Sequence, residues 1–169
     1  MNADELRALQ APLKARYKDD PASAHITLRA RGRVSQATVT CELETKKSGA
    51  PVGLHPAAGG DGSAACSGDM LLEALVGCAG VTLAAVSTAM GIELASASVS
   101  AEGELDFRGT LGVARDVPVG FSRIHLVFEI ATSAADDKVH KLIELTERYC
   151  VVLQTLSRPP TIEVSRKRV

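Results

Sequence analysis

The stretch from Met70 to Met90, MLLEALVGCAGVTLAAVSTAM, is the most apolar in the chain, and it confines the fold to one that gives a long helix something to pack against. Glu73, Gly77, Gly80, Thr82 and Ser87 interrupt it, so it reads as a buried core helix rather than a membrane span. Ser67 is placed to cap its start, Asp69 falls in the first turn where a carboxylate complements the helix dipole, and Gly91 stops it. The 3.6-residue period aligns Leu71, Leu75, Cys78 and Thr82 on one face, which turns the Cys78 thiol toward other elements of the core.

The rest of the chain is arranged around that helix. Asn2 or Asp4 can cap a leading helix reaching about Arg16, and residues 1–22 are read as a helical extension of a domain spanning 23–169. From His25 the pattern changes to period two, with Ile26, Leu28 and Ala30 alternating with Thr27, Arg29, Arg31 and Arg33. A second strand follows in ATVTCELE, with Val39, Cys41 and Leu43 on one face, and a third around Pro51–Leu54 completes a meander. His55 to Ala65 is expected to be a flexible connection. Its glycines lack both the Lys-Ser/Thr ending of a phosphate loop and the spacing of a dinucleotide fingerprint. Beyond the central helix, strands are expected at Glu93–Phe107 and Arg123–Ala131. A helix opened by Ser133 and Asp136 should run to Leu145 or Arg148, a further helical piece should cover Val151–Leu156, and a terminal strand should cover Thr161–Val164. The order β-β-β-α-β-β-α-α-β after a leading helix favours α+β over a doubly wound sheet.

Composition excludes several function classes. With 19 Lys and Arg against 20 Asp and Glu, nothing in the overall charge invites a polyanion, so nucleic acid is not an expected partner. MNADELRALQAPLKARYKDD carries charges throughout and no apolar run, so no secretory signal is read there and a cytoplasmic location is expected, with no membrane association. In that reducing setting the four cysteines are expected as thiols. His25, His55, His125 and His140 lack metal-ligand spacing, so neither a metal nor another cofactor is expected. The basic tail Arg166–Lys167–Arg168 is read as a solubilising end.

Cys78 and Cys150 each sit in an apolar helical stretch, far apart in sequence. Such a pair suits a site in which one sulfur attacks an oxidant and the other resolves the product. The bland alternative is that cysteine packs as a small hydrophobe. Cys41, between Val39 and Leu43, is read that way. Cys66 lies before a helix N-terminus that could activate it, and is treated as a bystander.

In SGDMLLEALVGC, Asp69 precedes Cys78 by nine residues; YCVVLQTL supplies Cys150, Val152, Thr155 and Leu156. Together with the element order, these motifs resemble the OsmC/Ohr family of thiol-dependent peroxidases, from about His25 to the C-terminus. There an acidic residue opens the central helix ahead of the first cysteine, and the second precedes Pro-Val and then Thr-Leu. This chain departs from the pattern twice, with Val151 in place of the proline and Asp69 where glutamate is common. The resemblance implies an OsmC-like fold and an intertwined homodimer with long central helices beneath wrapped sheets. It also implies an arginine from the early strands near the reactive sulfur. Gly32–Arg33 is the closest match, with Arg29 and Arg31 on the same strand.

The implied activity is reduction of an organic hydroperoxide by the Cys78 thiolate. Arg33 would lower the thiol pKa, Asp69 would hold the guanidinium, and Cys150 would close a disulfide that an external dithiol, for instance a lipoylated protein, reduces. The competing reading is a non-catalytic member of the same fold that binds an apolar small molecule at the dimer interface, with its cysteines as packing or sensing residues.

Overall fold

The computed structural model describes residues 51–58, 60–110 and 115–168, the backbone of 32–35 and 40–43, and positions 2, 4, 5, 8, 11 and 19. At the N-terminus, Asn2 does cap a helical start. The Glu5 N–H donates to Asn2 Oδ1 and the Asn2 N–H to Glu5 Oε2, both at 2.9 Å, and Asp4, Glu5, Ala8 and Ala11 are helical.

The early strands form one small sheet. β1 (Gly32–Ser35) pairs antiparallel with β2 (Thr40–Leu43), setting Arg33 opposite Glu42 and Val34 opposite Cys41, and β2 pairs with β3 (Pro51–Gly53), as the meander predicts. The expected strand residues Ile26, Leu28 and Ala30 lie outside the described residues. A fourth strand that the sequence reading missed, β4 (Ala65–Cys66), runs parallel to β3. The connection between them is tied down rather than a free loop. The N–H groups of Ala58 and Gly60 donate to the His55 carbonyl at 2.8 and 3.1 Å, that of Ala57 to His55 Nδ1 at 3.0 Å, and the imidazole stacks on Phe107 at 4.9 Å. Gly60 is demanded there, because a Cβ would lie 1.8 Å from the Leu54 carbonyl oxygen.

Pairing with Gly53 holds Cys66 extended, so the chain enters helix α1 (Ser67–Met90) with Cys66 at the cap position and Ser67 already helical. The expected side-chain cap from Ser67 is therefore absent. The other end is as predicted. Gly91 takes the left-handed conformation (φ 67°), and the N–H groups of Gly91 and Ile92 donate to the carbonyls of Thr88 and Ser87 at 3.1 and 2.9 Å. Leu75, Ala79, Leu83 and Ser87, each four residues from the last, form the buried stripe of α1.

The expectation of a buried helix holds for that stripe alone. Along another line run Met70, Ala74, Gly77, Val81, Ala84 and Thr88, spaced alternately four and three residues apart; Ala74, Gly77, Val81 and Ala84 are exposed, Val81 by 72%. By length and composition α1 could cross a membrane, and only 28% of its most apolar window is buried within this chain.

Against the buried stripe lies a hairpin of β5 (Ser96–Leu105) and β6 (Phe121–Ala131). Val99, Ala101, Ile124, Leu126, Phe128 and Ile130 face the helices. The alternate positions are mostly polar, with Ser98 donating to Glu129 and Arg123 paired with Glu104 on the exposed face. Gly103 leaves no room for a side chain, since a Cβ there would meet the Phe121 ring of the neighbouring strand at 2.5 Å and Leu72 Cδ1 of α1 at 3.3 Å. The long connection between the strands contains a single helical turn, α2 (Phe107–Thr110), which was not anticipated.

Helix α3 (Asp136–Tyr149) then crosses α1, burying Leu142 and Thr146, and α4 (Val151–Ser157) follows after a single residue. Ala135, not Ser133, sits at the start of α3 without a side-chain cap, while Asp136 and Asp137 supply first-turn carboxylates. Leu83, Ile92 and Leu142 form one buried cluster; Leu75, Ala79 and Cys150 form the other. Thr161–Val164 is not the strand expected of it. The segment pairs with none of the described strands and leaves Ile162 and Val164 exposed by 78% and 93%, because period-two patterning makes a strand only where a ladder partner is within reach.

Candidate active site

Cys150 is the single residue between α3 and α4, extended at φ −72° and ψ 105°. Its N–H closes α3 on the Thr146 carbonyl and its own carbonyl opens α4 by accepting from Gln154, both at 2.9 Å, and the Gln154 side chain donates to the Glu147 carbonyl across the elbow at 2.9 Å. This geometry fixes the direction of the side chain. Cys150 is fully buried against Leu75 and Ala79, and Cys78, half-buried on α1, packs against the same cluster with Val99, Ala101, Ile124, Leu126 and Phe128 as the hairpin wall. Two residues far apart in sequence thus meet, and both are free thiols.

Their surroundings push the two sulfurs in opposite directions. Burial pushes the Cys78 thiol up. The Val152 amide, the Cys150 thiol, the Val151 amide and the Thr82 hydroxyl, all neutral donors near the sulfur, outweigh burial and hold Cys78 below the ordinary thiol range. Cys150 moves the other way. Burial raises it, and donation to Cys78 together with the charge there raises it further, against the Leu153 and Val152 amides. When the pair gives up its first proton, these directions favour the charge on Cys78 over Cys150.

The donors named for Cys78 are all neutral, whereas the sequence reading assigned the task to an arginine. Arg33 lies on β1 opposite Glu42, but its guanidinium, like Arg29 and Arg31 altogether, is outside the described residues. Asp69 is not brought to the thiol. It is exposed in the first turn of α1, nine residues and thus about 13 Å along the helix from Cys78. Cys66, at the head of α1, is about 18 Å from Cys78 by the same rise and forms no part of the pair. Only the backbone of Cys41 is described, opposite Val34 and Val52.

Thr82, Val151 and Val152 were missed as site residues. The signals existed: Thr82 is one helical turn after Cys78, and the residue after Cys150 is not the proline of the family motif and so keeps its N–H.

An open apolar groove of about 450 Å³ adjoins the pair, lined by Leu126, Phe128, Ile130, Val139, Ile143, Glu147 and Leu153. Leu126, Phe128 and Leu153 also wall the cysteine cluster, so groove and thiols share three side chains.

A search of curated proteins returns no match. Among solved structures, the fold is similar to an OsmC-like protein from Mycoplasma pneumoniae, with a TM-score of 0.64 at 15% identity over 79% of this chain and 89% of that one. It is similar also to an organic hydroperoxide resistance protein OsmC from Legionella pneumophila, with a TM-score of 0.61 at 16% identity over 80% and 92% of the two chains. A third similar structure is the organic hydroperoxide resistance protein OhrB of Bacillus subtilis, with a TM-score of 0.53 at 16% identity over 79% and 92%. At these identities the likeness is one of fold. A family model described as OsmC-like protein matches residues 60–165, the span that carries both cysteines, the central helix and the groove. The chain therefore belongs to the OsmC-like family.

Proposed function

We propose that this chain is a thiol-dependent peroxidase that reduces organic hydroperoxides, with Cys78 as the attacking sulfur and Cys150 as the resolving one. The observation that carries the reading is the meeting of two free thiols, far apart in sequence, in one buried cluster, with the surroundings pushing Cys78 down and Cys150 up. Fold similarity to proteins described as organic hydroperoxide resistance proteins supports the same class.

The Cys78 thiolate attacks the distal oxygen of ROOH, an S–O bond forms as the O–O bond breaks, and the alkoxide takes up a proton and leaves as ROH. The Cys150 thiol then attacks the sulfenic sulfur and hydroxide departs, taking the Cys150 proton to leave as water. An external dithiol returns two electrons and two protons to the disulfide and is itself oxidised. The apolar groove suits an alkyl tail better than a bare hydrogen peroxide. Arg33, on β1, is the residue we propose to orient the peroxide.

A homodimer belongs to the same proposal. The exposed line Ala74, Gly77, Val81 and Ala84 has the alternating spacing of a helix-packing seam, with small side chains that let two helices approach, and a second copy of α1 would cover it. Membership in a family of soluble domains supports reading α1 as a packed helix and supports a cytoplasmic location.

The deciding experiment is consumption of cumene hydroperoxide by purified protein with dihydrolipoamide as reductant. Turnover that disappears in Cys78→Ser supports the peroxidase. Saturable binding of apolar ligands in the groove with no peroxide consumed would favour the non-catalytic alternative.

A further inference from the structure

We infer that Thr82 is part of the nucleophile: its hydroxyl, one helical turn after Cys78, passes its hydrogen bond from the Cys78 carbonyl to the Cys78 sulfur when the thiol loses its proton, and holds the thiolate in place. The inference deepens the peroxidase reading and rests on it for its catalytic meaning.

The geometry starts from a bond already made. Thr82 Oγ1 donates to the Cys78 carbonyl oxygen at 2.7 Å, and both side chains are half-buried on the same side of α1. Side chains on a helix lean toward its N-terminus, so residue 82 reaches back toward the turn that carries residue 78, and the Thr82 hydroxyl is among the groups that lower the Cys78 thiol. The hydroxyl proton turns about the Cβ–Oγ1 bond and threonine in a helix populates two χ1 rotamers, about 120° apart, so the donor is redirected without moving the backbone. Giving up the carbonyl costs little, because in the α-helix that oxygen already accepts the Thr82 backbone N–H. A thiolate that has left water gains more from a donor than a carbonyl that keeps one, since bonds to charged acceptors are roughly twice as strong as neutral ones.

The same hydroxyl-to-carbonyl bond recurs elsewhere without this consequence. Thr88 donates to Ala84, Thr146 to Leu142 and Thr155 to Val151, at 2.7, 2.7 and 2.8 Å, and in none of these does the accepting residue carry a thiol. Of these four, Thr82 alone makes the bond to a residue that carries a thiol. The lowered Cys78 thiol, to which the Thr82 hydroxyl contributes after burial and the other donors, agrees with this arrangement.

The test is the pH dependence of Cys78 alkylation by iodoacetamide in the full chain, followed peptide by peptide by mass spectrometry. The variants are Thr82→Val, Thr82→Ser and, as a control for loss of a hydroxyl-to-carbonyl bond, Thr88→Val. Thr82→Val should move the curve to higher pH and slow alkylation at pH 7 by roughly tenfold, the scale expected for a charge-assisted bond. Thr82→Ser, which keeps the donor, and Thr88→Val, which never served the sulfur, should both follow the wild type. A Thr82→Val curve that superimposes on wild type overturns the inference, and so does a Thr82→Ser defect as large as that of Thr82→Val. Alkylation needs no peroxide, so a wild-type protein that fails to consume hydroperoxide counts against the peroxidase alone.

Discussion

The thiol of Cys150 faces that of Cys78 as a hydrogen-bond donor, and the contact lowers one pKa while raising the other. The asymmetry assigns different tasks to two chemically identical side chains. Cys78→Ser should abolish hydroperoxide reduction and leave the circular dichroism spectrum unchanged, because oxygen fills the space but does not ionise. Cys150→Ser should complete one turnover and then accumulate sulfenic acid on Cys78, detectable by a dimedone adduct. Repeated turnover in Cys150→Ser would remove Cys150 from the resolving role.

Val151→Pro should raise the Cys78 thiol. Proline is well accommodated at the first position of a helix, so α4 should persist, but the amide that serves the sulfur from that position is gone. We expect alkylation of Cys78 at pH 7 to slow several-fold, roughly in proportion to the thiolate lost. Unchanged kinetics would mean that the Val152 amide and the other donors suffice.

The two displaced thiols also set how stability responds to pH. Between its lowered folded value and the ordinary value of 9.0, Cys78 has lost its proton in the folded chain and kept it in the unfolded one, so its contribution to stability grows as pH rises through that window. Cys150 is the reverse. Above 9.0 the unfolded chain gives up a proton that the folded chain retains, and its contribution falls as pH rises toward the raised folded value. Urea midpoints measured under reducing conditions from pH 7 to 10, with Cys78→Ser and Cys150→Ser alongside, should show the rising limb flattened in the first variant and the falling limb flattened in the second.

Val81→Lys tests the seam on α1. Val81 is 72% exposed in the single chain, so a lysine there should not disturb the interior, yet it should split a dimer that packs α1 against its copy. Light scattering should give a dimer mass for wild type at micromolar concentration and a smaller or aggregated species for the variant. A folded wild-type monomer at that concentration would end the dimer proposal.

Leu75→Ala should be far more damaging than its chemistry alone suggests for an active-site neighbour. Leu75 is fully buried against Cys150, and truncating such a side chain costs about 2–5 kcal/mol through lost burial and the cavity left behind. Thermal unfolding gives the loss directly. Gly103→Ala should also destabilise, since its Cβ has no room beneath the Phe121 ring.

Much of this architecture was legible in the sequence because local signals were strong. Gly91 stopped α1 where a left-handed residue was needed, the period of two placed β5 and β6 to within a few residues, and the prolines at 159 and 160 bounded α4. The failures share a cause in pairing and packing that no local pattern announces. β4 is two residues held only by a parallel partner, and it displaced the cap of α1 from Ser67 to Cys66. The period-two run at Thr161–Val164 finds no ladder among the described strands, and the second line of α1 points outward although it too is mainly apolar. At the site, the two cysteines were visible as a pair, but the choice of neutral donors around Cys78 depended on where α4 begins in space. The departure from the motif at Val151 leaves an amide near the sulfur where a proline would have none.

One amino acid ends α3 and begins α4, and this makes the elbow a mechanical relay. Drawing Cys150 Sγ into a bond with Cys78 would pull on the very residue that sets the angle between the two helices. With no spacer to absorb it, the displacement would pass to Tyr149 and Val151, which flank it at the surface, exposed by 58% and 70%. A docking reductant could then tell the oxidised protein from the reduced one by the shape of its outer surface, before any sulfur of its own reaches the buried pair.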